Sequence, residues 1–357
     1  MKKFLIINPF GIGDVLFTTP VIRAIKDNQP DSIIGYWCNE RVGGLLKNNP
    51  RIDKIFALSR GDLKRLYHKS RREGLCKFMN LAHKIKKEGF DISLDVSLDH
   101  RYSLISKLAG IKKRIGFNYK KRGRFLTDKI DIAGYQDKHV VEYYLGLLKL
   151  LSINPQDKRL ELFITKEDKK LSLDLLKSIG INNGDLVIGI AAGAGASWGP
   201  DAVFKHWPAV RFAQLADKLI NDLNAKILIL GDESDRHIAD TIADAMNSKP
   251  MVLAGKTTLG ELIAIINDLH ILVTNDGGPL HIAVALGKKT VSFFGPVDPL
   301  VYGPYPADEN RHTVLSKTLD CVPCYSGFHL NPCLRNRDCL KQIEVKDAFE
   351  AVNRLLS

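Results

Sequence analysis

An aspartate stands in the loop that follows the first apolar run of the chain. The run Lys3–Asn8 ends in Gly11-Ile12-Gly13-Asp14, and the apolar spacing from Val15 to Ile25 then predicts a helix. A dinucleotide-binding fingerprint needs a third small residue here, but Leu16 takes that place and Asp14 would repel a pyrophosphate. A carboxylate at this position can instead accept the proton of an incoming hydroxyl group. It can equally act as the N-cap of the following helix, and the sequence leaves both roles open.

A second polar group follows a strand pattern late in the chain. Its motif is Asn275-Asp276-Gly277-Gly278-Pro279-Leu280-His281. The two glycines allow the backbone to approach a ligand closely, and the N–H groups at a helix start attract phosphate. Asp276 would hold a ribose hydroxyl or orient the loop. His281 would contact a phosphate or pack as an ordinary core residue.

Two further loops carry small or charged residues directly after strand patterns. In the loop Ala191–Gly199, small residues that include Ser197 leave room for a phosphate or a sugar. Lys205 comes just before the next helix, where it would neutralise a diphosphate leaving group or be an ordinary surface amine. Glu233, in Gly231-Asp232-Glu233, would accept hydrogen bonds from ribose hydroxyls or favour the start of a helix.

Four of the six cysteines cluster near the end of the sequence. They are Cys321, Cys324, Cys333 and Cys339. In a reducing compartment this clustering favours a tetrahedral thiolate metal site of structural type, with labile disulfides and free thiols as the alternatives. Arg335 and Arg337 flank the cluster, and their positive charge would favour thiolates.

Short apolar strands alternate with amphipathic helices along the whole chain. This pattern predicts α/β domains with parallel sheets covered on both faces. Since 357 residues exceed the usual size of a single core, we expect two doubly wound, Rossmann-like domains, residues 1–165 and 166–357. The first would bind an acceptor, and the second would bind a nucleotide sugar and include the cysteine cluster and the terminal helix. A further strand is expected at Leu160–Ile164, near the boundary. Ligands bind outside the carboxyl ends of parallel strands, so a central cleft between the domains is expected.

The net charge of +12 is distributed unevenly along the sequence. Residues 1–150 contain 30 Lys and Arg against 15 Asp and Glu, whereas the remainder contains 22 against 25. Such a basic half predicts an anionic partner: nucleic acid, an anionic membrane surface or a phosphorylated glycolipid. Aromatic residues do not alternate with the basic runs as stacking on bases would require, which argues against nucleic acid.

The lengths of the apolar runs in the sequence indicate where in the cell the protein is located. No apolar run reaches the ~20 residues of a membrane helix, and the run at the start is too short for a signal peptide. We therefore expect a cytoplasmic protein, with a basic half that suits peripheral contact with the inner face of the inner membrane.

Together the motifs resemble glycosyltransferase family nine, the ADP-heptose:lipopolysaccharide heptosyltransferases. The resemblance rests on four motifs in this order: Gly13-Asp14-x3-Thr18-x-Pro20, Lys205-x-Trp207-Pro208, Gly255-Lys256-Thr257-Thr258-Leu259 and Asn275-Asp276-Gly277-Gly278-Pro279-x-His281. It implies a two-domain GT-B fold and inverting transfer of heptose from ADP-heptose to a lipopolysaccharide inner-core acceptor. It also implies that catalysis needs no cofactor.

The resemblance also implies roles for individual residues. Asp14 would be the general base, and the donor would contact Gly13, Ser197, Lys205, Glu233, Asp276, Gly277, Gly278 and His281. Many members have Thr or Ser where Gly277 stands, so one hydroxyl contact would be absent. The basic charge of the N-terminal half, rather than the resemblance, predicts five residues that bind a phosphorylated glycolipid acceptor: Arg101, Arg114, Lys120, Arg122 and Arg124.

Alternatives to this function remain open from the sequence. The cysteine cluster resembles an iron-binding element of protein-heptosylating relatives, which leaves a structural zinc or iron and a protein acceptor as alternatives. Two further alternatives for the function are a sugar-nucleotide epimerase of similar shape and a non-enzymatic polyanion-binding protein.

Overall fold

The structure is a computed structural model that describes residues 1–58, 61, 69–194 and 196–357, without the side chains of residues 196 and 197. The chain forms two compact units, Met1–Phe163 and Ile164–Ser357. The sequence-based boundary lies two residues further along the chain, at residue 165. Each unit is built on one six-stranded sheet.

The first sheet has strand order β3-β2-β1-β4-β5-β6, and all neighbouring strands are parallel. Its strands are β1 Lys3–Ile7, β2 Ile33–Cys38, β3 Lys54–Ala57, β4 Ile92–Asp95, β5 Lys113–Tyr119 and β6 Asp128–Ile132. The central strand β1 reads Phe-Leu-Ile-Ile after Lys3, and these four residues are buried. A strand buried on both faces has a continuous apolar run, which is why the alternation of a half-exposed strand is missing.

Helices and short 3-10 turns connect these strands. They are Ile12–Leu16, Thr19–Asn28, Glu40–Val42, Gly43–Leu46, Arg71–Glu88, His100–Leu108, Val140–Gly146 and Leu147–Leu151. The helix Arg71–Glu88 begins at Ser70, whose hydroxyl accepts a hydrogen bond from the Glu73 N–H (3.3 Å). It ends at Gly89, where φ of +66° suits glycine.

The second sheet has order β12-β11-β10-β7-β8-β9 and is also parallel. Its strands are β7 Val187–Ala191, β8 Lys226–Ile229, β9 Met251–Val252, β10 Ile271–Asn275, β11 Lys289–Phe293 and β12 His312–Leu315; a separate hairpin pairs β13 Tyr325–Ser326 with β14 His329–Leu330. If the six strands of each sheet are numbered in chain order, their order across the sheet is 3-2-1-4-5-6 in both units. This is the doubly wound arrangement. The predicted α/β class with two doubly wound parallel sheets is confirmed.

The second unit also alternates strands with helices and 3-10 turns. These are Lys166–Ser178, Ala196–Lys205, Ala209–Leu223, Glu233–Asp235, Arg236–Ala245, Leu259–Asp268, Gly278–Ala285, Pro299–Tyr302, Asp338–Lys341 and Val345–Leu356. The last helix buries Ala348, Val352 and Leu355 in the same core as Leu219 of helix Ala209–Leu223. Within the described residues, none of the helices combines the length and apolar character needed to cross a bilayer.

The predicted strand Leu160–Ile164 is not formed. This segment joins no sheet and is held by polar contacts instead. The buried Arg23 donates hydrogen bonds to Glu161 Oε2 (2.6 and 2.9 Å) and to the Arg159 carbonyl (2.9 Å), and the Glu161 N–H donates to Thr19 Oγ1 (3.1 Å). Helix Thr19–Asn28, rather than a neighbouring strand, therefore holds this segment.

Candidate active site

Both sheets place polar loops at their topological switch points. In the first unit these loops follow β1 and β4, and in the second they follow β7 and β10. At a switch point, the connections that leave two neighbouring strands run to opposite faces of the sheet, and a crevice for a ligand opens between them. Asp14 follows β1, and Asp276 follows β10.

A buried ion pair lies at the end of β10. Lys205 Nζ is 2.5 Å from Asp276 Oδ2, and the two side chains are 8% and 6% exposed. The same ammonium lies over the Trp198 ring, 4.4 Å from its centroid. Among the described residues, this ammonium is the partner that the structure gives to the buried Asp276 Oδ2. Lys205 is therefore not an ordinary surface amine. It is a desolvated cation whose counter-ion lies in the motif Asn275–His281.

Asn275 fixes the geometry around this pair. Its side-chain amide donates to the Ala192 carbonyl (2.5 Å) and accepts from the Trp207 N–H (3.0 Å). The Trp207 ring stacks on Phe293 with 4.1 Å between centroids. Sequence reasoning did not assign a role to Asn275 or Trp207, although both stand inside the quoted motifs. The signal in the sequence for Asn275 was its position as a polar residue at the end of a mostly apolar strand.

Gly277 and Gly278 begin the helix Gly278–Ala285. Gly277 is fully extended (φ 178°), a conformation open to any residue. A Cβ added there would lie 3.5 Å from the nearest atoms, in Ala194. The site therefore has room for the Thr or Ser of other family members, and neither space nor backbone conformation requires glycine. His281 is buried in this helix, with Nε2 4.0 Å from Asp276 Oδ1.

Acidic side chains lie at the carboxyl ends of β7, β8 and β9. Glu233 is exposed and begins a 3-10 turn, and a Cβ on Gly255 would lie 2.3 Å from its Oε2. Asp235 lies so close to Gly193 that a Cβ there would be 2.1 Å from its Oδ1. Burial, and then the nearby Asp232, raises the pKa of Asp235 to about 6. Asp235 was missed from sequence, where it looks like a helix-start residue. The Ser197 side chain lies outside the described residues.

Asp14 lies in the short helix Ile12–Leu16, which directly follows the end of β1. The N-cap of this helix is Gly11, and Asp14 is its third residue. The interpretation of Asp14 as an N-cap is therefore wrong. Its carbonyl accepts from Asn8 Nδ2 (2.8 Å), and Asn8 Oδ1 accepts from the Phe10 N–H (3.2 Å). Gly13, which is predicted to contact the donor, precedes Asp14 in the same helix and therefore lies in the first unit.

Four of the five predicted acceptor residues are exposed: Arg101, Lys120, Arg122 and Arg124. They follow β4 and β5, whose carboxyl ends share one edge of the first sheet. Arg114 is different. Its guanidinium donates to the carbonyls of Phe125 (2.6 Å), Ile111 (2.5 Å) and Lys112 (3.2 Å). Arg114 thus braces the loop after β5 and has little capacity left to bind an acceptor.

Two aromatic rings flank the basic loop that follows β5. Lys120 and Arg122 lie over the Tyr119 ring at 5.1 and 5.7 Å. Arg124 lies over Phe125 at 4.7 Å. In the sequence, Tyr119 and Phe125 stand at the two ends of the basic run 120–124. Each ring is covered by the chain's own cations, so neither is an open platform for a base.

Asp95 is a buried carboxyl group at the carboxyl end of β4. Its Oδ1 accepts from the Ser97 N–H (2.9 Å). Burial raises the pKa of Asp95 to about 7, against the opposing effect of the Ser97 hydrogen bonds. The folded chain therefore binds this proton more tightly than the unfolded chain. The resulting stabilisation is present at low pH and is lost as the pH rises from the unfolded pKa, near 4, through about 7.

Asp95→Asn is expected to raise the free energy of unfolding above that of the wild type at pH 8. The amide oxygen can still accept from Ser97, and no charge is buried. The difference between variant and wild type should widen by about 1–3 kcal/mol from pH 5 to pH 8, as measured by urea unfolding. Asp244→Asn, at an exposed helix position, is the control. A difference for Asp95→Asn that is the same at both pH values would contradict the assignment.

The four clustered cysteines are free thiols, from exposed Cys321 to buried Cys339. The Cys324 thiol donates to the Cys321 carbonyl (2.8 Å), and Cys333 Sγ accepts from the Arg337 N–H (3.2 Å). Burial, and then the neighbouring thiols, raises the pKa of Cys324 to about 11. Across the described residues, no three Cys, His, Asp or Glu side chains form an arrangement that could hold a metal ion. The arrangement of the thiols as they stand does not fit a metal.

The flanking arginines do not favour thiolates as expected. Arg335 Nη2 pairs with Asp320 Oδ2 (3.2 Å), and the Arg337 guanidinium donates to the Val203 carbonyl (2.9 Å). Both charges are thus engaged elsewhere, which corrects the sequence-based expectation.

Known proteins resemble this chain over most of its length. The sequence model of glycosyltransferase family 9 (heptosyltransferase) matches residues 78–334. Lipopolysaccharide heptosyltransferase 2 of Salmonella typhimurium is 26% identical over 316 residues, which cover 83% of this chain and 84% of the relative. The crystal structure of a family 9 glycosyltransferase from Veillonella parvula is 26% identical with a TM-score of 0.82, covering 99% of this chain and 97% of that one. The structure of E. coli ADP-heptose LPS heptosyltransferase II is 23% identical with a TM-score of 0.77 and covers 100% and 98%.

These likenesses first define the class: two doubly wound sheets with polar loops at their switch points form a glycosyltransferase of the GT-B fold. Since the family match spans well over half of the sequence, the chain belongs to glycosyltransferase family 9, the heptosyltransferases. The resemblance stated from the sequence motifs, the transferase class and the GT-B fold are confirmed.

Proposed function

We propose that this protein transfers heptose from ADP-heptose to a hydroxyl group of the lipopolysaccharide inner core, with inversion at the anomeric carbon. The observation that carries the proposal is the buried pair Lys205–Asp276 at the switch point of the second sheet. A desolvated lysine beside a glycine-rich helix start suits a diphosphate leaving group. The acceptor follows from the relatives, which are named lipopolysaccharide heptosyltransferases.

The second unit binds the donor in this proposal. Lys205 stabilises the negative charge that develops on the diphosphate as the bond to the sugar breaks. The backbone N–H groups of Gly277 and Gly278 hold a phosphate, and Asp276 orients Lys205. Glu233 accepts hydrogen bonds from the ribose hydroxyls. Ser197 and His281 complete the proposed donor contacts of this unit, and Gly13 of the first unit is a further proposed contact.

The first unit supplies the acceptor side of the reaction. Asp14 takes the proton of the acceptor hydroxyl as its oxygen attacks the anomeric carbon. Arg101, Lys120, Arg122 and Arg124 bind phosphate groups of the glycolipid, whereas Arg114 serves the loop. The acceptor lies in a membrane, so we also propose a cytoplasmic enzyme that contacts the inner face of the inner membrane, with no nucleic-acid partner.

A structural zinc or iron at the four cysteines is a separate proposal. It rests on the clustering of Cys321, Cys324, Cys333 and Cys339, and it requires the thiols to rearrange from the positions described above. Metal analysis of the purified protein tests it: one equivalent of metal that Cys324→Ser removes would support the site, and a metal-free protein with full activity would end the proposal.

Thermal unfolding in the presence of nucleotides tests the donor. A ligand at 100 times its dissociation constant stabilises a protein by about 2.7 kcal/mol. ADP and ADP-heptose are expected to raise the unfolding temperature, and UDP, GDP and CDP are expected to leave it unchanged. Selective stabilisation by UDP or GDP would replace the donor while keeping the transferase. No response to any of these ligands would contradict the donor site.

A further inference from the structure

The helix Arg71–Glu88 leaves apolar side chains exposed. One of its faces packs Leu81 and Ile85 into the core of the first unit. Leu75 and Met79 lie one turn apart outside that core and are 53% and 58% exposed. A single exposed leucine is common on protein surfaces, whereas two neighbouring apolar side chains on one helix face indicate a candidate interaction surface.

The exposed face carries cations and apolar groups together. Helical spacing places six residues side by side along it: Arg72, Leu75, Cys76, Met79, His83 and Lys86. All six are exposed, and we call them the Leu75–Met79 stripe. None of the six is acidic. The two glutamates of the helix, Glu73 and Glu88, lie on other faces, and Glu88 Oε2 pairs with Lys54 Nζ (2.6 Å).

This combination fits an anionic lipid surface. A helix that lies in a membrane interface buries apolar side chains near the headgroups and keeps flanking cations at the level of the phosphates. Each Lys or Arg near an anionic bilayer contributes about 1 kcal/mol of attraction. The stripe is part of the strongly basic residues 1–150, so the long-range field of this half also favours approach to an anionic surface.

We propose that the Leu75–Met79 stripe docks the protein on a bilayer of anionic phospholipid. Leu75 and Met79 enter the headgroup region, and Arg72 and Lys86 pair with lipid phosphates. The inference deepens the proposed function and rests on it in one respect, namely that a glycolipid acceptor resides in a membrane. Binding to lipid can be measured without turnover, so the two can fail separately.

Co-sedimentation of the full chain with vesicles tests the proposal. The probes are phosphatidylcholine vesicles with and without phosphatidylglycerol. The wild type should bind the anionic vesicles, and added salt should weaken binding. The double variant Leu75→Glu/Met79→Glu should bind about tenfold or more weakly. The matched control is Leu171→Glu/Leu300→Glu, which makes the same charge change at leucines that are 54% and 60% exposed in the second unit. It should bind like the wild type.

Several results would overturn the proposal. These are no binding of the wild type to anionic vesicles, equal binding to neutral vesicles, and equal loss in both double variants. A wild-type dimer that the Leu75→Glu/Met79→Glu variant converts to a monomer would show that a second copy covers the stripe, and would also overturn it. Heptose transfer to a water-soluble acceptor fragment should be unchanged in that variant. Loss of this transfer would indicate a damaged active site, and would contradict a role confined to docking.

Discussion

Replacement of Asp14 by asparagine is expected to lower kcat by about 10²–10⁴, the usual contribution of general acid–base catalysis. The amide cannot take the proton of the acceptor hydroxyl. The backbone contact from Asn8 Nδ2 goes to the carbonyl of residue 14 and is kept in the variant. Asparagine also has nearly the size and shape of aspartate, so stability and the KM for the donor should remain close to those of the wild type. Steady-state kinetics and thermal unfolding of the same preparations measure all three quantities.

The control for this variant is Asp31→Asn. Asp31 is an exposed aspartate of the first unit, and its replacement should leave kcat unchanged. If Asp14→Asn retained full kcat, the proton would have another acceptor. If it lost stability and kcat together, Asp14 would be a structural residue. Either result would contradict its role as the base.

Replacement of Lys205 by methionine is expected to reduce both stability and turnover. The Asp276 carboxylate would remain buried without its cation, and breaking one half of a buried pair typically destabilises a protein by about 3–5 kcal/mol. The diphosphate would also lose its stabilising charge, for a loss of about 10²–10³ in kcat. Urea unfolding and steady-state kinetics measure the two effects.

A double variant separates these effects. Lys205→Met/Asp276→Asn removes both buried charges, so it should recover most of the lost stability while turnover stays low. Lys218→Met is the control, because Lys218 forms an exposed pair with Asp222 (2.5 Å), and such pairs contribute about 0–1 kcal/mol. A Lys205→Met variant as stable as the wild type would show that the pair is not desolvated in solution.

Residues at the carboxyl ends of strands were predictable because strand, loop and helix are local patterns. Asp14 and the segment Asn275–His281 were located in this way. The partnership of Lys205 with Asp276 was not predictable, since the two residues are distant in sequence and meet only when β7 and β10 pair. The position of Asn275 at the end of an apolar strand was visible in the sequence, but its partners in the loops of Ala192 and Trp207 were not.

The sequence-based errors have physical causes. Arg114 was assigned to an acceptor because composition records a charge without the direction in which the guanidinium points. Leu160–Ile164 is mostly apolar like a buried strand, but its polar residue Glu161 is bonded by Arg23 and Thr19 instead of joining a ladder.

The contact between Lys205 and Trp198 gives this enzyme a built-in optical reporter. The chain has three tryptophans, of which Trp37 and Trp207 are buried at 1% and 0% exposure. Trp198 is only partly buried, and a cation lies 4.4 Å from its ring. Indole emission responds to nearby charge, so we expect an anionic ligand that draws Lys205 away to change the fluorescence of Trp198. The emission of the buried Trp37 and Trp207 is expected to stay constant. Occupancy of the donor site can thus be followed in real time without any label.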